Sequence, residues 1–249
     1  MGMVETEGLV LRTYNFSDAD KVVVFLTKDH GLVRGVAKGA RRLKSAFGSS
    51  LEPFSISQIA YFKKEQQDLA SIKSAEIRNS HFSNASDPLF LQKFTYIAEL
   101  LIFFAPPEEP NVRLYNMTRI CLETASPDRE SLDRVLLYFE LWLLKLGGYL
   151  PDWSACFECG NIPEDDSTVS VQSSFQILCN DCQRTRTAVI LSPEERAVFD
   201  QIQKIGPGKF LEMDFEINSV RRISEILKKL ISTILGGDSH ETRIFSTKY

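Results

Sequence analysis

Short runs of β-branched and apolar residues, separated by polar turns, recur through the first eighty positions and read as strands. Val4 to Tyr14 is rich in β-branched and apolar residues, and Lys21 to Thr27 sets three valines before Phe25 and Leu26. Asp29-His30-Gly31 is a turn signal, after which Leu32 to Lys38 resumes the pattern. Ile56 to Phe62 and Leu69 to Ile77 bring the count to five predicted strands. Their connections are short except for the polar, basic stretch from Gly39 to Glu52. Five short strands in this length predict a small closed or partly closed barrel of the OB type.

From about residue 83 the pattern changes to that of helices. Asp87-Pro88 reads as a helix start, a capping carboxylate followed by a proline whose missing N–H costs nothing there. Leu89 to Phe104 is apolar on nearly every face and predicts a buried helix, stopped by Ala105-Pro106-Pro107. Asn111 to Thr124 and Asp128 to Leu146 are predicted as the next two helices, the latter ended by Gly147-Gly148. Its Val135, Leu136, Phe139, Trp142, Leu143 and Leu146 recur at steps that put them on one core-facing side. Ser192-Pro193-Glu194-Glu195 carries the spacing of a capping box and opens a helix to about Ile205. Asn218 is read as the cap of a last helix to Leu235, ended by Gly236-Gly237, with a polar tail from Asp238 to Tyr249 whose apolar pair is Ile244-Phe245.

Charge sharpens this picture. The chain is −4 overall, but residues 1–64 hold ten Lys/Arg against six Asp/Glu, a net +4, which leaves −8 on the other 185. A basic amino-terminal module on an acidic body suits an anionic partner. The charge concentrates in GLVRGVAKGARRLKS, residues 31–45, with Arg34, Lys38, Arg41, Arg42 and Lys44 and no acid. Mobile cations and glycines that let phosphates approach backbone N–H groups fit nucleic-acid binding. Of the nearby aromatics Phe47, Phe54, Tyr61 and Phe62, only Phe47 sits among small and polar residues, so it is the expected stacking face for a base and the others are expected core.

Four of the five cysteines, Cys156, Cys159, Cys179 and Cys182, form two C-x2-C pairs with nineteen residues between them. Two such knuckles complete a tetrahedron of thiolates, and four protein ligands leave no position for a reactive water. A structural zinc ion is therefore expected, although a single iron or an iron–sulfur cluster uses the same ligands. The intervening loop, with Pro163-Glu164-Asp165-Asp166, is expected to bury little apolar surface and to depend on the metal for order. Cys121, between Ile120 and Leu122, is expected to be a buried hydrophobe.

Enzyme motifs do not emerge. The histidines are His30, His81 and His240, and no H-E-x-x-H, G-x-S-x-G or P-loop pattern occurs. Asp18, Asp20, Glu5 and Glu7 read as solvated strand ends and a turn. No apolar run reaches the ~18 residues of a membrane span, and Met1 to Thr13 carries two glutamates and no apolar core, so no secretory signal is expected and the cytoplasm is the default compartment.

The run GLVLRTYNFSDADKVVVFLTKDHGLVRGVAKGARRLKS, residues 8–45, resembles the amino-terminal signature of the RecO recombination-mediator family. The resemblance continues at Leu51-Glu52-Pro53-Phe54, at FELWLLKLGGYLPD (139–152) and at FQILCNDC (175–182). It implies an α+β multidomain protein: an N-terminal OB-fold β-barrel (1–80), then an α-helical domain (81–150 and 188–249) with an inserted four-cysteine zinc module (151–187). It also implies activity without covalent chemistry. Such proteins bind single- and double-stranded DNA, anneal complementary strands and, with RecR, load RecA onto DNA coated by single-strand-binding protein. The resemblance further implies capture of that protein's acidic carboxyl-terminal tail on the helical body. Phe139 is the expected apolar contact, and Arg134 is the expected cation because Tyr138 stands where the family pattern expects a basic residue. An RNA-directed factor with a barrel and a zinc ribbon, and a zinc-stabilised scaffold that binds only protein, are the alternatives from other classes.

Overall fold

The computed structural model describes residues 2–64, 67–81, 84–183 and 189–236. The tail from Asp238, with His240 and the Ile244-Phe245 pair, lies outside the described residues. Two compact units divide the chain, residues 1–132 and 133–249.

Unit one is built on five strands: β1 (Met3–Asn15), β2 (Lys21–Thr27), β3 (Gly31–Ala37), β4 (Ser55–Phe62) and β5 (Ala70–Ser80). They close in the order β1-β2-β3-β5-β4, with β3 and β5 parallel and the other pairs antiparallel, which is the OB-fold topology. Closure depends on the long first strand. Its first half pairs with β4 from Met3↔Phe62 to Leu9↔Ile56, and its second half pairs with β2 up to Asn15↔Lys21. A bulge between Val10 and Arg12 bends it from one partner to the other. Inward side chains Val10, Val23, Phe25, Val33, Leu51, Ile59, Tyr61 and Ile72 fill the barrel. At the β2–β3 turn Gly31 has φ +64, and a Cβ there would lie 2.3 Å from the Glu109 carbonyl oxygen, so only glycine fits.

Helices α1 (Pro88–Phe104) and α2 (Val112–Thr124) belong to the same unit. Their starts follow the capping chemistry of the sequence: Asp87 accepts from the Phe90 N–H at 2.8 Å and Asn111 from the Leu114 N–H at 2.9 Å. Phe54 makes edge contacts with Phe90 and Phe94, the Arg12 guanidinium meets Glu99 at 2.6 Å, and the Tyr115 hydroxyl donates to Glu7 at 2.9 Å. Burial, with Glu7 beside it, raises the Tyr115 hydroxyl well above the usual phenol range, so it stays a donor. Cys121 is fully buried on α2, and burial raises its thiol, as expected of a small hydrophobe.

Helix α3 (Arg129–Leu146) leads into unit two, which holds α4 (Pro193–Ile202), α5 (Pro207–Leu211) and α6 (Ile217–Ile234). The capping box is complete: Ser192 Oγ accepts from the Glu195 N–H and the Glu195 carboxylate accepts from the Ser192 N–H. Helix α4 stops at Ile202, short of the expected Ile205, because Pro207 holds Gly206 extended and opens the separate turn of α5. Asn218 is not the cap of α6. Glu216 takes that position without a side-chain cap bond, and Asn218 lies in the first turn, donating to the Glu216 carboxylate at 3.0 Å.

The cysteine-rich segment departs from its expectation in one respect. It contains three short strands, β6 (Val169–Val171), β7 (Ile177–Leu178) and β8 (Val189–Leu191), paired as β7-β6-β8. They bury Val169, Val171, Ile177 and Leu191, so the segment has a small apolar anchor of its own.

Candidate nucleic-acid interface and metal centre

The basic loop leaves the barrel at the end of β3. Arg34, Lys38, Arg41, Arg42 and Lys44 are all exposed, and none of the five forms an ion pair among the described residues. Other cations of the barrel are committed: Arg12 to Glu99, Lys21 to Glu52 and Lys63 to Glu108. Positive charge left without a protein partner is what a phosphate backbone can neutralise.

The loop is tied to the β1–β2 turn. The Gly39 N–H donates to Asp20 Oδ1 at 2.8 Å, the Arg41 N–H to the Ala19 carbonyl at 3.0 Å and Arg41 Nη1 to the Ser17 carbonyl at 2.5 Å. Gly39 takes φ +73, which lets the chain reverse there.

Phe47 does not serve as the expected stacking face. It is 8% exposed and packs in the barrel core with Leu51 and Ile72. Its small, polar neighbours belong to a loop that turns Phe47 and Leu51 into the barrel core. The exposed aromatics among the described residues of the barrel are Tyr14 and Phe16, which the strand pattern did not single out. An available signal was that Phe16 stands among Asn15, Ser17 and Asp18 in a turn, where no core position exists for it. Lys73, exposed on β5, was also not singled out; Ala70 and Ile72 point inward, so the intervening period puts it outside.

The four cysteines of unit two converge. One sulfur from each of Cys156, Cys159, Cys179 and Cys182 lies within 4.8 Å of all the others, and Cys159 and Cys179 are 3.8 Å apart. A tetrahedral thiolate site with bonds of about 2.3 Å requires sulfurs ~3.8 Å apart, so the residues can hold one metal ion. Each knuckle is set by backbone bonds: the Gly160 N–H donates to the Cys156 carbonyl at 2.9 Å, and the Cys182 N–H to that of Cys179 at 3.1 Å. Burial would raise the Cys156 thiol, but backbone N–H groups of Cys159, Cys179 and Glu158 aimed at it hold it down to about 6. The neighbouring Cys179 sulfur pushes the Cys182 thiol up in turn, and a bound cation would favour the thiolate form of all four. Arg196 on α4 braces the intervening loop, with Nη1 donating to the carbonyls of Glu164 and Ser167 at 2.7 and 2.8 Å.

The two residues expected to capture a peptide tail do not form a pocket. Phe139 has 0% exposure on α3 and offers no face to a ligand. Arg134 donates to the Met213 and Phe215 carbonyls at 3.2 and 2.6 Å, which ties the α5–α6 connection to α3. An intrahelical cation–apolar spacing does not reveal such a long-range partner. Arg134→Glu is therefore expected to lower stability, by about 1–3 kcal/mol for lost charged hydrogen bonds, and thermal unfolding of the variant checks this. An unchanged melting temperature would return the guanidinium to the set of free cations. A cavity of about 340 Å³ does lie in unit two, lined by Lys145, Leu150, Trp153, Phe199, Asp152 and Asp200. Burial raises the Asp200 carboxyl, and two acids in the lining oppose any carboxylate ligand.

A five-stranded OB barrel with an exposed basic loop, in a chain that also carries helices and a four-cysteine cluster able to hold a metal ion, defines a class of OB-fold proteins with a candidate metal module. Residues 1–81 match the family described as Recombination protein O N terminal, and residues 91–243 match Recombination protein O C terminal. The chain belongs to the recombination protein O (RecO) family. Similar relatives named DNA repair protein RecO come from Thermodesulfovibrio yellowstonii (31% identity, 93% of each chain), Koribacter versatilis (30%, 79% of each) and Syntrophus aciditrophicus (27%, 96% of this chain and 94% of the relative). No described helix is long and apolar enough to cross a membrane.

Proposed function

We propose that this protein is a recombination mediator in DNA repair. It binds single- and double-stranded DNA, anneals complementary strands and, with RecR, helps load RecA onto DNA coated by single-strand-binding protein. It works at the nucleoid in the cytoplasm and performs no covalent chemistry. Residues 1–80 meet the DNA, residues 151–187 form the metal module, and the helical remainder, 81–150 and 188–249, meets protein partners. With Phe139 buried and Arg134 committed, the tail of single-strand-binding protein would have to dock elsewhere on that remainder.

The observation that carries the reading is the set of five exposed cations, Arg34, Lys38, Arg41, Arg42 and Lys44, with no ion pair among the described residues. Family membership supports DNA as the polyanion. The metal is zinc: four thiolates close the coordination sphere, which suits a structural ion with no redox role.

An annealing assay with complementary oligonucleotides, run with and without the cognate single-strand-binding protein, tests the reading. Annealing of coated strands faster than their spontaneous rate is expected. Tight binding to RNA with no acceleration of DNA annealing would favour an RNA-directed factor, and no nucleic-acid binding would favour a protein scaffold.

A further inference from the structure

We infer that an unpaired DNA base stacks on Phe16 of the β1–β2 turn, with Tyr14 two residues before it at the end of β1, and that this aromatic platform makes the barrel prefer single strands to duplex. The inference rests on the DNA-binding reading above and names the residue that discriminates between its substrates.

Most of the barrel's other described aromatics are buried, with Phe62 half-buried. Phe25, Phe47, Phe54 and Tyr61 are each at most 8% exposed, whereas Phe16 is 60% exposed and Tyr14 46%. One exposed ring is ordinary on a protein surface; what marks Phe16 is that its turn is fastened to the exposed basic loop. No ring contact is made by Phe16 among the described residues.

The platform is built in advance. The Phe16 and Ser17 N–H groups donate to the Asp20 carbonyl at 3.0 and 3.5 Å, and Ser17 Oγ accepts from the Asp20 N–H at 3.2 Å. Three further bonds, from Gly39 and Arg41, fasten the turn to the basic loop. Tyr14 is held as well: Arg12 donates to its hydroxyl at 3.2 Å and lies 5.8 Å from its ring centre. A ring whose backbone is fixed loses little freedom when a base settles on it.

Charge decides which part of a nucleotide meets this turn. Asp18 is exposed in it and repels phosphate, while Arg42 and Lys44 are exposed on the loop fastened to it and attract phosphate. A strand whose backbone follows the loop therefore presents bases, not phosphates, to Phe16. The pairing Lys21↔Ala37 brings the turn to the place where β3 ends and the basic loop begins, so both features share one end of the β2–β3 ladder. In duplex DNA the faces of the bases are stacked on one another, and an aromatic ring has nothing to join.

The test uses the full chain and anisotropy titrations of a labelled oligo-dT and of a duplex of equal length, at one salt concentration. Phe16→Ala is expected to weaken oligo-dT binding about thirtyfold, the middle of the range for one stacked base, and to leave duplex binding within about twofold. Phe16→Trp should retain the affinity, with its indole emission quenched on binding, and Phe16→Leu, apolar but without a π face, should behave like alanine. Equal losses on both substrates, no loss on oligo-dT, or full affinity with leucine would each overturn the inference while leaving DNA binding intact. A wild-type protein that binds neither substrate overturns the DNA reading and the inference together.

Discussion

Cys156→Ser is expected to remove the metal from the four-cysteine site and to release the order of residues 153–183, while the barrel still binds DNA. Elemental analysis should show about one zinc per wild-type chain and far less in the variant. The reason lies in what else holds the segment. Its strands are two or three residues long, and their buried side chains, Val169, Val171, Ile177 and Leu191, anchor only the sheet end. At the knuckle end Cys159 is exposed and Cys179 and Cys182 are half-buried, so little apolar burial would keep them together without an ion. Structural zinc contributes on the order of 10–16 kcal/mol in isolated zinc-finger peptides, which far exceeds two knuckle hydrogen bonds at about 1 kcal/mol each. Loss of a metal belongs to the short set of changes that cost more than about 4 kcal/mol. Thermal unfolding and limited proteolysis should therefore register the change in unit two, with new cleavage inside 153–183. Unchanged metal content in the variant would sink the assignment, and iron in the wild type would keep the site but replace the ion.

How far the chain could be read before folding depended on the range of the interaction concerned. Helix starts at Asp87, Asn111 and Ser192 were legible because a cap bonds an N–H three residues away, as each of these does. The five barrel strands were legible as short runs of β-branched and apolar residues set off by turns, and β2 is buried on both faces from Val23 to Thr27. Strands β6 to β8 were not, since two or three residues give no period to count. The misplaced cap at Asn218 shows the limit of propensity: a good capping residue two positions inside the helix bonds Glu216 instead. At the site, the cysteines were legible because ligand spacing is local, and the loop cations because charge without nearby acid stands out. Phe47 and Arg134 were misread because Ile72 for the first, and the Met213 and Phe215 carbonyls for the second, come from distant parts of the chain, and Phe139 because it is fully buried.

The combined replacement Arg41→Ala, Arg42→Ala, Lys44→Ala is expected to weaken DNA binding of any sequence by roughly tenfold to a hundredfold at low salt. It should also flatten the salt dependence. Each phosphate contact contributes about 0.7 to the logarithmic slope for single strands and about 0.9 for duplex, so three lost contacts reduce it by roughly 2 and roughly 3. Folding should survive, because all three side chains are exposed and outside any described ion pair. The three positions are not equivalent, however. Arg41 also donates to the Ser17 carbonyl and so holds the turn that carries Phe16. Arg41→Ala alone is therefore expected to penalise single strands more than duplex, whereas Arg42→Ala with Lys44→Ala should penalise both alike, as phosphate contacts do. Titrations of wild type, the double variant and the Arg41 variant from about 50 to 200 mM salt separate these terms. An unchanged slope in the triple variant would mean that the loop is not the DNA-contacting surface, and the strand would then have to follow the cations Arg34, Lys38 and Lys73 on the outer face of β3 and β5.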